Sequence, residues 1–133
     1  MKSCIWRVIT VLGVLLFFGC GDSYSQFCGD SKAKIHCLKA ADETSEAVMR
    51  RYLKRYASSD QCAHTLKVVH YEPKVCSNPS SKALGTDVDG FVRLQVFSEG
   101  VCYYRVQRDY KSRQWEDLLP SLTHQMEREL LLP

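Results

Sequence analysis

Cys62, His64, His70 and Cys76 place two thiols and two imidazoles in one stretch of chain, and two such pairs could build a tetrahedral zinc site. Their spacing matches no familiar zinc motif, and exported thiols oxidise, so no metal is expected. A redox or haem centre would require Cys-x-x-Cys or Cys-x-x-Cys-His, and neither occurs. His36 beside Cys37 could lower that thiol's pKa, but adjacent residues of a helix do not face one another. Hydrolysis needs serine, histidine and acid to converge, or two carboxylates to flank a bond. His124 follows Asp117 on one helical face with Glu116 and Glu127 nearby, which is the make-up of an ordinary amphipathic surface. With no glycine-rich phosphate loop or nucleophile elbow either, the reading is of a non-enzyme with no catalytic residue and no cofactor.

The remaining chemistry lies in cysteines and in export. Lys2 and Arg7 lie in and beside the start of an apolar stretch counted from Ile5 to Phe18 and, from Val8 on, interrupted only by Thr10 and Gly13, the charged and apolar regions of a signal peptide. That run is roughly fourteen residues against about twenty needed to span the hydrocarbon core as a helix, so a permanent span is the weaker reading. At its end, Leu16-Phe17-Phe18-Gly19-Cys20 resembles the lipobox of bacterial prolipoproteins, with the small Gly19 ahead of the cysteine. Phe17 and Phe18 depart from the family's preference for leucine and a small residue at those places. The resemblance covers only the first twenty or so residues. It implies a signal peptide over 1–19, acyl chains, palmitate among them, on Cys20, and attachment of the mature protein to a membrane. Asp22 stands one place later than the family's inner-membrane retention signal, which implies the outer membrane, facing the periplasm. Cleavage after Gly21 or Ser25 would instead release a soluble secreted protein.

The 113 residues beyond Cys20 suit one domain with a single core. Charged residues at 25% and hydrophobic ones at 45% are ordinary for a globular chain, and a net charge of +3 is too small to imply a nucleic-acid partner. Cys28, Cys37, Cys62, Cys76 and Cys102 remain as disulfide candidates. An odd number leaves one thiol over from two bridges.

Residues 20–30 are polar and read as a tether, with a single domain over 31–133. Asp30 or Ser31 can cap a helix whose stripe is Ile35, Leu38, Ala41, Ser45, Val48, Met49, Tyr52 and Tyr56, with a possible break at Asp42 and an end at Ser58-Ser59-Asp60. Its other face carries Lys39, Arg50, Arg51, Lys54 and Arg55, which read as a solvated face before a lipid-facing one. Thr65 to Val75 reads as a strand ending near Pro73, and residues 77–86 as a loop. Val92, Leu94 and Val96 then alternate with Arg93 and Gln95, and Val101 to Gln107 alternates again. A three-residue turn would pair Phe97 with Val101, Val96 with Cys102, Leu94 with Tyr104 and Val92 with Val106. The opposite face would pair Gln95 with Tyr103 and Arg93 with Arg105. Ser112 can cap a last helix bearing Trp115, Leu118, Leu119, Leu122, Met126 and Leu130, kinked or divided at Pro120.

These elements predict a small α+β domain: an N-terminal helix, a three-stranded antiparallel sheet with a hairpin, and a C-terminal helix. Cys102 on the inner face and Cys37 at the helix stripe favour a Cys37–Cys102 bridge. Cys62–Cys76, Cys28–Cys37 and Cys62–Cys102 stay open. Phe91, Arg93 and Tyr103 on the outer hairpin face are the candidate binding surface, since aromatic and arginine side chains are enriched at binding hot spots. The function expected is a membrane-anchored interaction or structural module of the bacterial envelope. Its partners are the membrane, through the N-terminal lipid, and an envelope protein. The alternative is a secreted, disulfide-stabilised effector or inhibitor.

Overall fold

The computed structural model describes residues 23–58, 61–72, 89–111 and 114–133. The alternating apolar residues after Gly90 form the centre of its sheet. β4 (Gly90–Ser98) pairs antiparallel with β5 (Val101–Tyr110), and β4 also pairs antiparallel with β3 (His64–Tyr71). Two further strands complete a five-stranded mixed sheet: β1 (Ser23–Phe27) antiparallel to β5, and β2 (Lys39–Ala40) parallel to β3. The order is β1-β5-β4-β3-β2. The α+β class expected from the sequence holds, while the sheet has five strands rather than three.

Both extra strands lack the signal that marks a strand. The segment Ser23-Tyr24-Ser25-Gln26-Phe27, expected as tether, is an edge strand exposed at Tyr24 and Gln26, and of its half-buried positions Ser23, Ser25 and Phe27 only the last is apolar. β2 is two residues long.

The hairpin register also differs. Glu99 (φ 51°) and Gly100 (φ 79°) form a two-residue turn, with Ser98 paired to Val101, in the pattern of a type I′ turn. Phe97 pairs with Cys102 and Val96 with Tyr104, so Tyr103 is the extra residue of a β-bulge. Leu94 then faces Val106, Gln95 faces Arg105 and Arg93 faces Gln107. Because the displacement from the expected register is two residues, Val92, Leu94, Val96, Tyr104 and Val106 still point to the core. Beyond the bulge, Cys102 shares the outer face with Phe97.

Asp42, rather than Asp30 or Ser31, starts the first helix, α1 (Glu43–Tyr52). Its carboxylate accepts the Ser45 N–H at 2.8 Å and the Ser45 hydroxyl at 2.7 Å, while Glu43 and Glu46 in the first turn and Arg50 and Arg51 in the last complement the helix dipole. Residues 31–42 run extended instead. Ile35 bridges to Leu131, Leu38 bridges to Ala57, and Lys39–Ala40 joins the sheet. Ile35 and Leu38 are buried as expected, but long-range backbone pairing outweighs their helical spacing. Leu53 closes α1, and a 3-10 turn, Lys54–Tyr56, follows.

At the other end a 3-10 turn, Trp115–Leu118, leads into α2 (Leu119–Leu130), with Pro120 in its first turn. There its missing N–H costs nothing, so the break predicted at Pro120 is a helix start. Ser112 lies outside the described residues. α1, α2 and segment 31–42 cover one face of the sheet. Val48, Met49, Leu53, Leu118, Leu122, Met126 and Leu130 pack there against Leu66, Val68, Val92, Leu94, Val96, Tyr104 and Val106. None of the described helices is long and apolar enough to cross a membrane.

Among the described residues two disulfides form, one tying segment 31–42 to the chain before β3 and the other tying the end of β1 to β5. Cys37 is bonded to Cys62 and Cys28 to Cys102, with Cα separations of 6.0 and 5.6 Å. The expected Cys37–Cys102 bridge does not form, because the bulge turns Cys102 to the outer face and Cys37 lies in the extended segment beside Cys62. Cys62 is therefore not free for Cys76, which lies outside the described residues. Closing loops of 25 and 74 residues, the bridges contribute about 3.5 and about 4.5 kcal/mol in the chain-entropy account.

Candidate binding face

Strand alternation gives the sheet a second face that no described helix covers. From β3 it takes Thr65, Lys67, Val69 and Tyr71, and from β4 Phe91, Arg93, Gln95 and Phe97. Arg105, Gln107 and Asp109 come from β5, and Tyr24 and Gln26 from β1. Lys39 of β2 shares that face through its pairing with Thr65. Every one of these residues is half-buried or exposed, and Tyr24 and Tyr71 are 52% and 53% exposed.

The register arranges them in rows. Lys67, Gln95, Arg105 and Gln26 form one row across four strands, Val69, Arg93, Gln107 and Tyr24 the next, and Tyr71, Phe91 and Asp109 a third. Phe91 stacks on Tyr71 with ring centroids 5.3 Å apart, and the Arg93 guanidinium sits 5.0 Å above the Phe91 ring. Arg93 donates from Nε and Nη2 to Gln107 Oε1 at 2.9 and 2.6 Å, and Gln107 donates to Asp109 Oδ1 at 3.1 Å. Arg105 donates from Nη2 to Gln26 Oε1 at 2.8 Å, and its guanidinium carbon is 5.9 Å from the Tyr24 ring. The two arginines expected to oppose each other are thus diagonal, each opposite a glutamine.

Of the three residues expected to form the binding surface, the sheet brings Phe91 and Arg93 together and removes Tyr103. The bulge turns Tyr103 toward the helix side, where its hydroxyl donates to the Ala33 carbonyl at 2.6 Å. Its ring meets His64 edge-on at 5.1 Å. Tyr71 and Arg105 are the members that sequence reasoning missed. Alternation of β3 from Leu66 and Val68 could have placed Tyr71, whereas Arg105 needed the register. The chain matches no family model, no curated protein and no solved structure. Functional inference therefore rests on the geometry of this chain.

The other chemical candidates are separated or spent. Cys62 is bonded to Cys37, and no group of three metal-ligating side chains occurs among the described residues. His64 and His70 stand at opposite ends of β3, about 20 Å apart at strand rise, so they cannot serve one site. Burial, and then the charge of His36, lowers the His64 pKa. His70 stacks on Trp115 at 4.7 Å and shares a 2.9 Å hydrogen bond with the Tyr110 hydroxyl. Glu116, Asp117 and His124 are exposed on the outside of the C-terminal helical segment. An open depression of about 500 Å³ borders α1 at Glu43, Glu46, Ala47, Arg50 and Arg51, where Arg50 is paired with Glu46. Cys20 lies outside the described residues.

The covered face holds two polar devices. Ser45, fully buried, accepts the Val68 N–H at 2.9 Å just past the point where β2 stops pairing with β3. Tyr104 donates at 2.8 Å to Glu129, which also accepts from Gln125 at 3.0 Å. Burial alone would raise the Glu129 pKa, but hydrogen bonds from Gln125, Tyr104 and Ser25, with the charge of Arg128, together hold it below the ordinary carboxylate range. Burial, and next the Glu129 carboxylate, raises the Tyr104 phenol far above its usual pKa.

Proposed function

We propose that this chain is an exported, non-catalytic interaction module of the cell envelope, held at a membrane by lipid on Cys20, and that it binds its partner with the open face of the sheet. The carrying observation is the row architecture of that face. Arg93 is pinned by Gln107 beside the Tyr71–Phe91 pair and Arg105 by Gln26 two rows away, so binding groups are presented with little rotamer freedom left to lose. Two disulfides in so small a domain support an oxidising compartment outside the cytoplasm. Because β1 begins at Ser23, only Gly21 and Asp22 separate it from Cys20, a reach of about 10 Å at full extension. An acylated Cys20 would thus hold the β1 edge of the sheet against the bilayer surface.

The alternative is a soluble secreted form, for which the two cleavage sites differ in consequence. Cleavage after Gly21 leaves β1 whole, whereas cleavage after Ser25 would remove Ser23, Tyr24 and Ser25 from the edge strand. The mass of the mature protein separates the two forms, since acyl chains on Cys20 and a bare Asp22 terminus differ by the lipid. For the face itself, the measurement is retention of the protein without acyl chains, residues 21–133, on the envelope fraction of its own host, so that lipid cannot hold it there. Phe91→Ala with Arg93→Gln is expected to reduce retention at least tenfold, and Arg50→Gln with Arg51→Gln to leave it unchanged. Equal retention of both variants would refute the assignment.

A further inference from the structure

Charge is not evenly distributed over the open face. Lys39, Lys67, Arg93 and Arg105 face outward there, and among the outward residues of β1 to β5 only Asp109 bears a carboxylate. Lys67 and Arg105 lie in one row on either side of Gln95, and Arg93 sits diagonally from each, about 7–8 Å away at the spacing of antiparallel neighbours. Three cations therefore surround one amide in the middle of the sheet. The stacked Tyr71 and Phe91 rings form an apolar shelf at one end of this patch, and Gln26, Gln95 and Gln107 distribute amide donors and acceptors across it.

We infer that the occupant of this face is an acidic polysaccharide, a chain of sugars bearing carboxylate or sulfate groups, which lies across β3, β4 and β5. The inference rests on the open face being the binding surface, as proposed above. Each part of the face answers a part of such a polymer. The guanidinium groups take carboxylate or sulfate oxygens, for which their planar donor fork is suited. Gln95, whose amide neither arginine engages, meets ring hydroxyls, being able to donate and accept at once. The Tyr71–Phe91 shelf offers an apolar surface to the C–H side of a sugar ring. A single-stranded nucleic acid fits less well, because it uses separated aromatic platforms for successive bases, and here the two rings are stacked on each other at 24°. An exported domain also meets acidic polymers of the cell surface continually.

The test is titration of the purified protein, disulfides intact, with heparin and polygalacturonate oligosaccharides. Neutral dextran, a single-stranded oligonucleotide of matched charge and anionic phosphatidylglycerol vesicles serve as comparisons. At least one acidic oligosaccharide should bind saturably, dextran should not, and affinity should weaken as salt rises. Arg93→Gln and Arg105→Gln should each weaken binding at least fivefold and Phe91→Ala at least tenfold, with melting temperatures matched to the parent. Arg50→Gln with Arg51→Gln should have no effect, because those arginines lie on α1. Tighter binding of the oligonucleotide or the vesicles, equal weakening by the α1 variants, or no binding of either acidic glycan would overturn the inference. If envelope retention still depends on Phe91 and Arg93 while neither glycan binds, the partner class fails and the binding face stands. If retention is indifferent to both residues, the face fails as well.

Discussion

Alternate residues of the same strands build two unlike surfaces. On one side Val92, Leu94, Val96, Tyr104 and Val106 are buried under α1, α2 and the extended segment 31–42. On the other Arg93, Gln95, Arg105 and Gln107 remain partly open, with Arg93 bonded to Gln107 and Arg105 to Gln26 across the strands. Chain position cannot explain the contrast, because neighbours such as Leu94 and Gln95 differ only in the side of the sheet they occupy. The covered face carries the stability of the domain, and the open face retains polar and aromatic groups that contribute little to folding. Pinned arginines on a partly open face are what the binding role proposed above requires.

The contrast can be broken most sharply at adjacent residues. Leu94→Ala should cost about 3–4 kcal/mol in chemical denaturation, as expected for truncating a fully buried leucine. Gln95→Ala should change stability by no more than about 0.5 kcal/mol. Comparable losses at the two sites would mean that the open face is structural. Replacing Cys37 and Cys62 together by serine should cost about 2–4 kcal/mol, measured in the same way. Ser45→Ala leaves the Val68 N–H buried without its acceptor and should cost about 2 kcal/mol. Hydrogen exchange would show the Val68 amide losing protection.

Acid should act through the covered face and the α1 cap. Asp42 is held below the usual carboxylate pKa chiefly by the Ser45 backbone hydrogen bond, and Glu129 is held low by Gln125, Tyr104 and Ser25. Depressed carboxylates contribute stability that is present above their unfolded pKa of about 4 and is lost as pH falls through the lower folded-state values. Thermal melting should therefore decline below about pH 4, and Glu129→Gln should flatten part of that decline. The smallest effect is expected at the hairpin tip. Glu99→Asn places a residue tolerant of positive φ at the first turn position and should raise stability by about 0.5 kcal/mol without affecting binding.

How far the sequence could be read follows the same division. Periodicity located the inward residues of β4 and β5 and the stripe of α2, because burial repeats every second residue in one and at three- and four-residue steps in the other. Pairing was harder. The I′ turn and the bulge at Tyr103 move the register by two residues, which preserves the buried set but changes every partner on the outer face. That shift removed Tyr103 from the candidate surface and brought in Arg105. The helix expected from Ile35 failed through competition. The capping strength of Asp42, the Cys37–Cys62 bridge and pairing with β3 hold residues 31–42 extended, and none of these leaves a local trace except Asp42. β1 was read as tether because an edge strand with serines and a glutamine has almost no apolar period.

The most direct test is hydroxyl-radical footprinting of the protein in the envelope of its own cells and free in solution, read at single side chains. Protection of Tyr71 and Phe91 in the envelope, with Tyr52 of α1 and the exposed Leu132 unchanged, is the result predicted for a partner on the open face. Protection of Tyr52 or Leu132 with Tyr71 and Phe91 still reactive would contradict it.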